Sequence, residues 1–436
     1  AFLALILAAI AAGLLAAPGA LPGEPARSHL VQAVELTTAE FGSTAGRIGV
    51  VIALAAVIGM CLMESGAADK IVRRFLAFFG QKRAGIALLA SSYVLSIPIF
   101  FDTFFMLVLP IARALALRTA GRYVLYVMAI CSAGVTTHAL VVPHPGPLAM
   151  TEILRVDVGQ TILAGLIVGL VPLCASWALI RWMDRRVEVP APAHPGDAAV
   201  LDRPESELPS FTASILPVLL PIALISLAST AAAQAGFTLE HPRLALGIEF
   251  LGNRNVALLL GTALAVAVLM RARRVSLAEV GERIGPPLET AGVIILITSA
   301  GGAYGLMLKN AGVGDAIQAA AAGRDMNLIV LAWVVASVIR IAQGSTTVAL
   351  LTTAAMVQPM LAGAQAPPFH PVYVFLAIGF GGLNLSWMND SGFWVVGRLS
   401  GFTERQTLRT WTVLLTFNSA VGLLATLLLS KLLPLV

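Results

Sequence analysis

Four short segments place polar or helix-breaking residues inside otherwise apolar sequence, and each has the chemistry to handle a small charged or hydroxylated molecule. The first, Ser96-Ile97-Pro98-Ile99-Phe100-Phe101-Asp102-Thr103, holds the one acid between Asp69 and Glu152. A carboxylate at the centre of a bilayer costs at least about 2.5 kcal/mol, so it faces a wet cavity, pairs with a cation or takes up a proton. Asp102 is therefore a candidate proton-coupling residue; an ion pair with a nearby Arg is the structural alternative. The second segment runs from Thr136 to Pro147 and contains Thr137, His138, Pro143, His144, Pro145, Gly146 and Pro147. Proline removes a backbone donor and clashes with the preceding turn, so the helix must break here. Two histidines beside two threonines at a break point to a polar site, where a lone buried His would read as core.

The third segment, Arg340-Ile341-Ala342-Gln343-Gly344-Ser345-Thr346-Thr347, offers an amide and three hydroxyls with little bulk. A helix starting here would present free N–H groups to an anion. Close packing through small residues is the alternative, and it accounts well for Thr352 and Thr353. The fourth segment, from Asn384 to Trp394, brings Ser386, Asn389 and Ser391, which can bond substrate hydroxyls, and Asp390, a second proton-coupling candidate. Gly301-Gly302-Ala303-Tyr304-Gly305 lacks the following Gly-Lys-Ser/Thr of a phosphate loop. No spacing suggests a metal site, and Cys61, Cys131 and Cys174 sit in apolar runs as packing residues. The expected cofactor list is empty, with protons as the coupling ion.

The elements that must carry these segments are membrane helices. Of the 436 residues, 58% are hydrophobic and 12% charged, half the charge of about 25% that covers an ordinary soluble domain. The mean hydropathy is +0.89. Long uncharged runs recur, for example Ala1–Ala17, Ile48–Met63, Thr161–Ile180 and Val256–Met270, and roughly 20 apolar residues span the hydrocarbon core. The run at Ala1 reads better as a transmembrane helix than as a signal peptide. The expected fold is an all-α integral membrane protein of about 10–12 transmembrane helices with re-entrant hairpins and broken helices. The net charge of +5 resides in short basic clusters between apolar runs, which reflects topology and not nucleic-acid binding.

Three segments are expected: a first transmembrane repeat at 1–184, a polar linker at 185–211 and a second repeat at 212–436. Gly59, Leu62, Gly66, Asp69 and Ile71 recur as Gly305, Leu308, Gly312, Asp315 and Ile317, and His144-Pro145-Gly146 overlies Asp390-Ser391-Gly392 at the same offset. The loop after the first motif carries Lys70, Arg73, Arg74, Lys82 and Arg83, whereas its counterpart holds Arg324 alone. Basic loops stay in the cytoplasm, so the two repeats should be inverted. Ala84–Ile111 is flanked by basic residues on both sides and is too short to cross twice, which suggests a re-entrant hairpin turning near Pro98. Arg271–Glu289 reads as an amphipathic piece at the membrane surface.

The order of Thr137-His138 through Pro143-His144-Pro145-Gly146-Pro147, then Arg340-Ile341-Ala342 through Gly344-Ser345 to Ala349, then Asn389-Asp390 through Gly392-Phe393-Trp394 resembles the gluconate:proton symporter (gluconate permease) family. The resemblance covers the chain from about residue 45 to its end. It implies proton-coupled import of gluconate or a related sugar acid, a multi-pass position in the cell inner membrane, an inverted-repeat fold of the ion-transporter superfamily and a homodimer. It places the site on Asp102, Thr137, His138, His144, Ser345, Thr346, Asn389 and Asp390. The chain departs from the family where Asp102 replaces an expected Glu, Gln343 a Leu and Ser391 a Pro. A sodium-coupled carboxylate transporter, a channel and an intramembrane enzyme using Asp102 and Asp390 are the rival readings.

Overall fold

The computed structural model describes residues 2–16, 28–118, 122–192, 204–233, 242–313, 327–361 and 367–435. Its regular elements are helices throughout. In the first half these are α1 (Phe2–Leu15), α2 (His29–Ser65), α3 (Ala67–Phe79), α4 (Ala84–Leu95), α5 (Phe101–Arg118), α6 (Tyr123–Leu140), α7 (Pro145–Leu154) and α8 (Val158–Arg186). The second half has α9 (Phe211–Ala233), α10 (Pro242–Gly252), α11 (Arg254–Arg273), α12 (Leu277–Arg283), α13 (Gly285–Asn310), α14 (Leu328–Gln343), α15 (Thr346–Leu361), α16 (Val372–Gly381), α17 (Ser391–Ser400) and α18 (Glu404–Leu432). Among the described residues seven helical stretches are long and apolar enough to cross a membrane, and α1, α14, α15 and α16 are shorter apolar helices. The seven long and four shorter apolar stretches together fall within the expected ten to twelve spans, several of them shortened by the polar breaks.

Helix starts follow local chemistry. Asp157 accepts from Gln160 N–H at 2.8 Å and Asn327 from Ile329 N–H at 2.8 Å, and Ser276 with Glu279 forms a capping box. The centre of the fold is α6, where every residue from Tyr123 to Leu140 except His138 is buried, together with α16, which is buried along its whole length. Such helices are apolar all round because protein surrounds them on all sides.

The segment Ala84–Ile111 does break, into α4 and α5, with Ser96–Phe100 between them. The expected surface piece Arg271–Glu289 is shorter than its sequence suggests: its first residues finish α11 and its last begin α13, leaving only α12 apart. Helix α8 runs two residues into the expected linker. Of that linker, residues 193–203 lie outside the described residues. Where the chain re-emerges, Lys70 pairs with Glu205 at 2.5 Å, and its hydrogen bond, together with its charge, holds the Glu205 carboxyl below the usual carboxylate range.

Element boundaries recur at the offset seen in the sequence. Val158–Arg186 corresponds to Glu404–Leu432, and Pro145–Leu154 to Ser391–Ser400. The residues after those short helices, Arg155 and Gly401, both have positive φ, as do Gly66 and Gly312. Asp315, Ile317 and Arg324 lie outside the described residues. Helices α2 and α13, which correspond by the same offset, run antiparallel: Glu64 pairs with Arg283 at 2.8 Å, Gly49 lies against Ile295, and Thr44 against Gly302.

Candidate functional site

The breaks converge. A cavity of about 380 Å³ is lined by Phe100, Phe101 and Asp102 from the first break, Val135, His138 and Pro145 from the second, Arg340 and Gly344–Thr347 from the third, and Asp390, Ser391 and Gly392 from the fourth. Its volume lies in the range of small-ligand sites, about 300–1,000 Å³. Leu383, Trp411, Leu415, Ile294 and Ile297 complete the wall.

The third break is a glycine turn followed by a helix N-terminus. Gly344 closes α14 in the left-handed region at φ 74°, donating its N–H to Arg340 O at 2.9 Å. The Ser345 hydroxyl then accepts from Val348 N–H at 3.4 Å, while the first N–H groups of α15 have no intrahelical acceptor, and Ser345, Thr346 and Thr347 line the cavity. Asn389 donates its side-chain amide to Ile341 O at 2.7 Å and the Trp387 indole donates to the same carbonyl at 3.1 Å. The fourth break thus caps the end of α14. Any Cβ at residue 344 would run into the Asn389 backbone carbonyl. Gly344→Ala therefore combines a strained φ with a backbone clash, each costing about 1–3 kcal/mol. We expect it to lower uptake per molecule in the membrane at least about tenfold, and a fluorescence-detected sizing profile combined with initial uptake rates measures this.

Arg340 lines the cavity, although its place in the sequence marks it only as the start of the third segment. It is 2% exposed. One terminal nitrogen, Nη2, pairs with Asp390 Oδ2, and that carboxylate also accepts from the Ser386 hydroxyl and from Gly392 N–H at 3.0 Å. Trp411 Nε1 donates to Ser386 Oγ at 2.7 Å and holds it in place. The remaining guanidinium nitrogens, Nε and Nη1, are buried without a partner. A buried N–H without an acceptor costs about 1–3 kcal/mol, and more on a charged group, so these two nitrogens favour an acceptor that the described residues do not supply. His138 Nδ1 is likewise buried without a partner. The signal for Arg340 was present in the sequence: it is a cation in an apolar run, four residues before Gly344.

The two acids differ. Asp390 is committed to Arg340, Ser386 and Gly392. Asp102, in the first turn of α5, is exposed to the cavity and has no hydrogen-bond or ion-pair partner among the described residues.

Other expected site residues work one layer back. Thr137 Oγ1 and Ser96 Oγ are 2.6 Å apart, and His144 Nε2 lies 2.8 Å from Ser96 O. Both fasten the first break onto α6 and α7. His144 also stacks edge-to-face on His138, with ring centroids 4.9 Å apart. Ser386 and Asn389, expected to bond substrate hydroxyls, are instead bonded to Asp390 and to the end of α14. Gln343 is exposed and outside the cavity wall. No group of three or more His, Cys, Asp or Glu side chains able to hold a metal ion occurs among the described residues.

Residues 1–432 match the family model described as GntP family permease. A gluconate permease of Pseudomonas aeruginosa is 34% identical over 430 residues, covering 98% of this chain and 92% of that protein. The Gnt-II system L-idonate transporter of Escherichia coli is 32% identical, covering 88% of this chain and 86% of its own length. Among solved structures, the Neisseria gonorrhoeae efflux pump MtrF aligns with a TM-score of 0.68 at 16% identity over 100% of this chain and 94% of its own. The Alcanivorax borkumensis YdaH transporter, described as having an unusual topology, aligns at 0.64 and 15% identity over 100% and 98%. At such identity the likeness is one of fold.

Proposed function

The chain belongs to the GntP family of permeases and is a multi-pass membrane transporter, not an enzyme, and from that premise we propose that it imports gluconate or a closely related sugar acid together with protons. The observation that carries this reading is the cationic corner of the cavity: two unpartnered nitrogens of Arg340 beside the opening N–H groups of α15. A carboxylate fits there with charge-assisted hydrogen bonds from both. The hydroxyls of Ser345, Thr346, Thr347 and Ser391 and the His138 ring line the space where a polyhydroxy chain would extend. Asp102, unpaired and open to the same cavity, carries the proton.

The two halves act as inverted repeats, 1–184 and 212–436 joined by the linker at 185–211, in a homodimer in the inner membrane. The constant offset of element boundaries and the antiparallel pairing of α2 with α13 support the inversion. Lys70, Arg73, Arg74, Arg271, Arg273 and Arg274 gather at one end of the molecule, around Glu205 and Glu64, and that end faces the cytoplasm.

In proteoliposomes in sodium-free choline medium, an inward proton gradient should drive gluconate accumulation, and dissipating the gradient should abolish it. Uptake that ignores the gradient but requires sodium would replace the proton with sodium and leave the anion site intact. A melting-temperature screen across sugar acids should show its largest rise with the true substrate, because a ligand at about 100 times its Kd stabilises by about 2.7 kcal/mol.

A further inference from the structure

A second cavity, of about 330 Å³, lies beside the first. Its walls are Ala56, Gly59, Met60, Met63 and Glu64 of α2, Pro98–Phe100 and Thr103 around the first break, Arg283 at the end of α12, and Pro286, Pro287 and Thr290 at the start of α13. Phe100 lines both cavities, and the consecutive residues Asp102 and Thr103 line one each. The partition is therefore the α4–α5 break itself, one or two residues thick. At the far end of the second cavity, Glu64 and Arg283 pair at 2.8 Å with side chains 35% and 40% exposed, whereas Ile99 and Phe101 at the partition are 2% and 7% exposed. The space thus runs from a charged, water-accessible mouth to the rim of the anion site.

The opposite half of α13 offers no such space. A Cβ on Gly305 would lie 2.6 Å from Ala355 Cβ, on Gly302 2.6 Å from the Thr44 hydroxyl, and on Gly301 2.9 Å from Leu351. Helices α2, α13 and α15 are packed there to the limit that glycine allows. On the Glu64 side, a Cβ on Gly59 meets only ordinary contacts with Ile99 and Pro98 at 3.5–3.7 Å. The contacts of α13 with α2 and α15 are thus tighter at Gly301–Gly305 than those of α2 with the first break at Gly59.

We propose that the second cavity is a vestibule site for the transported anion on the basic, cytoplasmic end. Arg283 receives the carboxylate when its pairing with Glu64 opens, and Phe100 is the floor that must swing aside for passage between vestibule and site. The proposal rests on the anion-transport reading above. Pairing with Glu64 neutralises Arg283 in the resting structure, so the vestibule captures an anion by exchange of partners and does not hold it tightly. The rival occupant is a lipid acyl chain, which would use the apolar lining of Ala56, Met60, Ile99 and Phe100 and leave Glu64, Arg283, Thr103 and Thr290 unused.

Labelling separates the two. Cys61 and Cys131 are buried and stay, Cys174 is exposed and becomes Ser, and Met60→Cys places a thiol on the wall. A membrane-impermeant, charged thiosulfonate should modify it about tenfold faster in inside-out than in right-side-out vesicles, because thiol reactivity follows exposure. Saturating gluconate should slow that labelling, and the labelled protein should lose uptake. Labelling only by a lipid-soluble maleimide, or equally from both faces, overturns the vestibule. Independently, Arg283→Gln should raise KM for cytoplasmic substrate about fivefold with kcat within about twofold, an effect that shrinks at high salt; an unchanged KM overturns the role of Arg283. If gluconate is the wrong anion, the parent protein shows neither gluconate uptake nor protection by gluconate, yet the sidedness of labelling still reports the vestibule.

Discussion

Arg340→Ala should abolish saturable gluconate uptake and weaken binding by at least about a hundredfold. Two charge-assisted hydrogen bonds to a carboxylate are worth about 1.5–3 kcal/mol each, and every 1.4 kcal/mol is a factor of ten in affinity. The same change leaves Asp390 buried without its cation, which costs about 3–5 kcal/mol of stability, so loss of uptake alone would not separate binding from folding. Two further variants do. Arg340→Ala combined with Asp390→Asn removes both charges, and its melting temperature should return most of the way to that of the parent while gluconate binding stays absent. Arg340→Lys keeps a charge for Asp390 but replaces the planar fork with a point charge. It should fold and bind about tenfold or more weakly. Isothermal titration and melting curves on the purified proteins measure both quantities. Parent-like affinity in the Lys variant and in the double variant together would remove Arg340 from the substrate.

What the sequence revealed follows from where its signals lie. Membrane placement was legible from low charge and long apolar runs, and the breaks were legible because Pro98, Pro143, Pro145 and Gly344 stand beside polar residues where a helix is readily interrupted. That all four breaks meet in one cavity was not legible, since convergence depends on packing between helices far apart in the chain, such as α7 on α15 and α17 on α5. Division of labour was harder still. Asp102 and Asp390 look alike in sequence, each an acid in an apolar run, and only the buried Arg340 lying against Asp390 distinguishes a structural carboxylate from a free one. Thr137, His144, Ser386 and Asn389 belong to recognisable motifs, yet each spends its polar atoms on a break: Ser96 for the first two, Asp390 for Ser386 and the end of α14 for Asn389. A motif residue can hold the backbone in place without reaching the cavity, and spacing alone does not separate the two. The expected broken spans fall on half-length helices such as α7 and α17.

Asp102→Asn should separate transport from accumulation. The amide keeps the shape and polarity of the carboxyl but cannot exchange a proton, so it tests charge change and little else. With one proton moved per substrate, each unit of pH difference can support about a tenfold concentration ratio, since both amount to about 1.4 kcal/mol. The Asn variant should therefore still exchange labelled for unlabelled gluconate across a proteoliposome membrane, while its gradient-driven accumulation falls to the equilibrium ratio of one. Asp102→Glu should keep coupling, because it restores a group of the same chemistry one methylene longer in a cavity that already exposes the side chain. Asp390→Asn should behave in the opposite way: it takes the counter-charge from a buried guanidinium, so the loss appears first in melting temperature and binding, and whatever transport survives stays coupled. This contrast comes from the geometry, with Asp390 held by Arg340, Ser386 and Gly392 and Asp102 facing the cavity unpaired at the start of α5. Full accumulation by the Asn variant at position 102, or uncoupled exchange by the Asn variant at position 390, would reverse the assignment of the two acids.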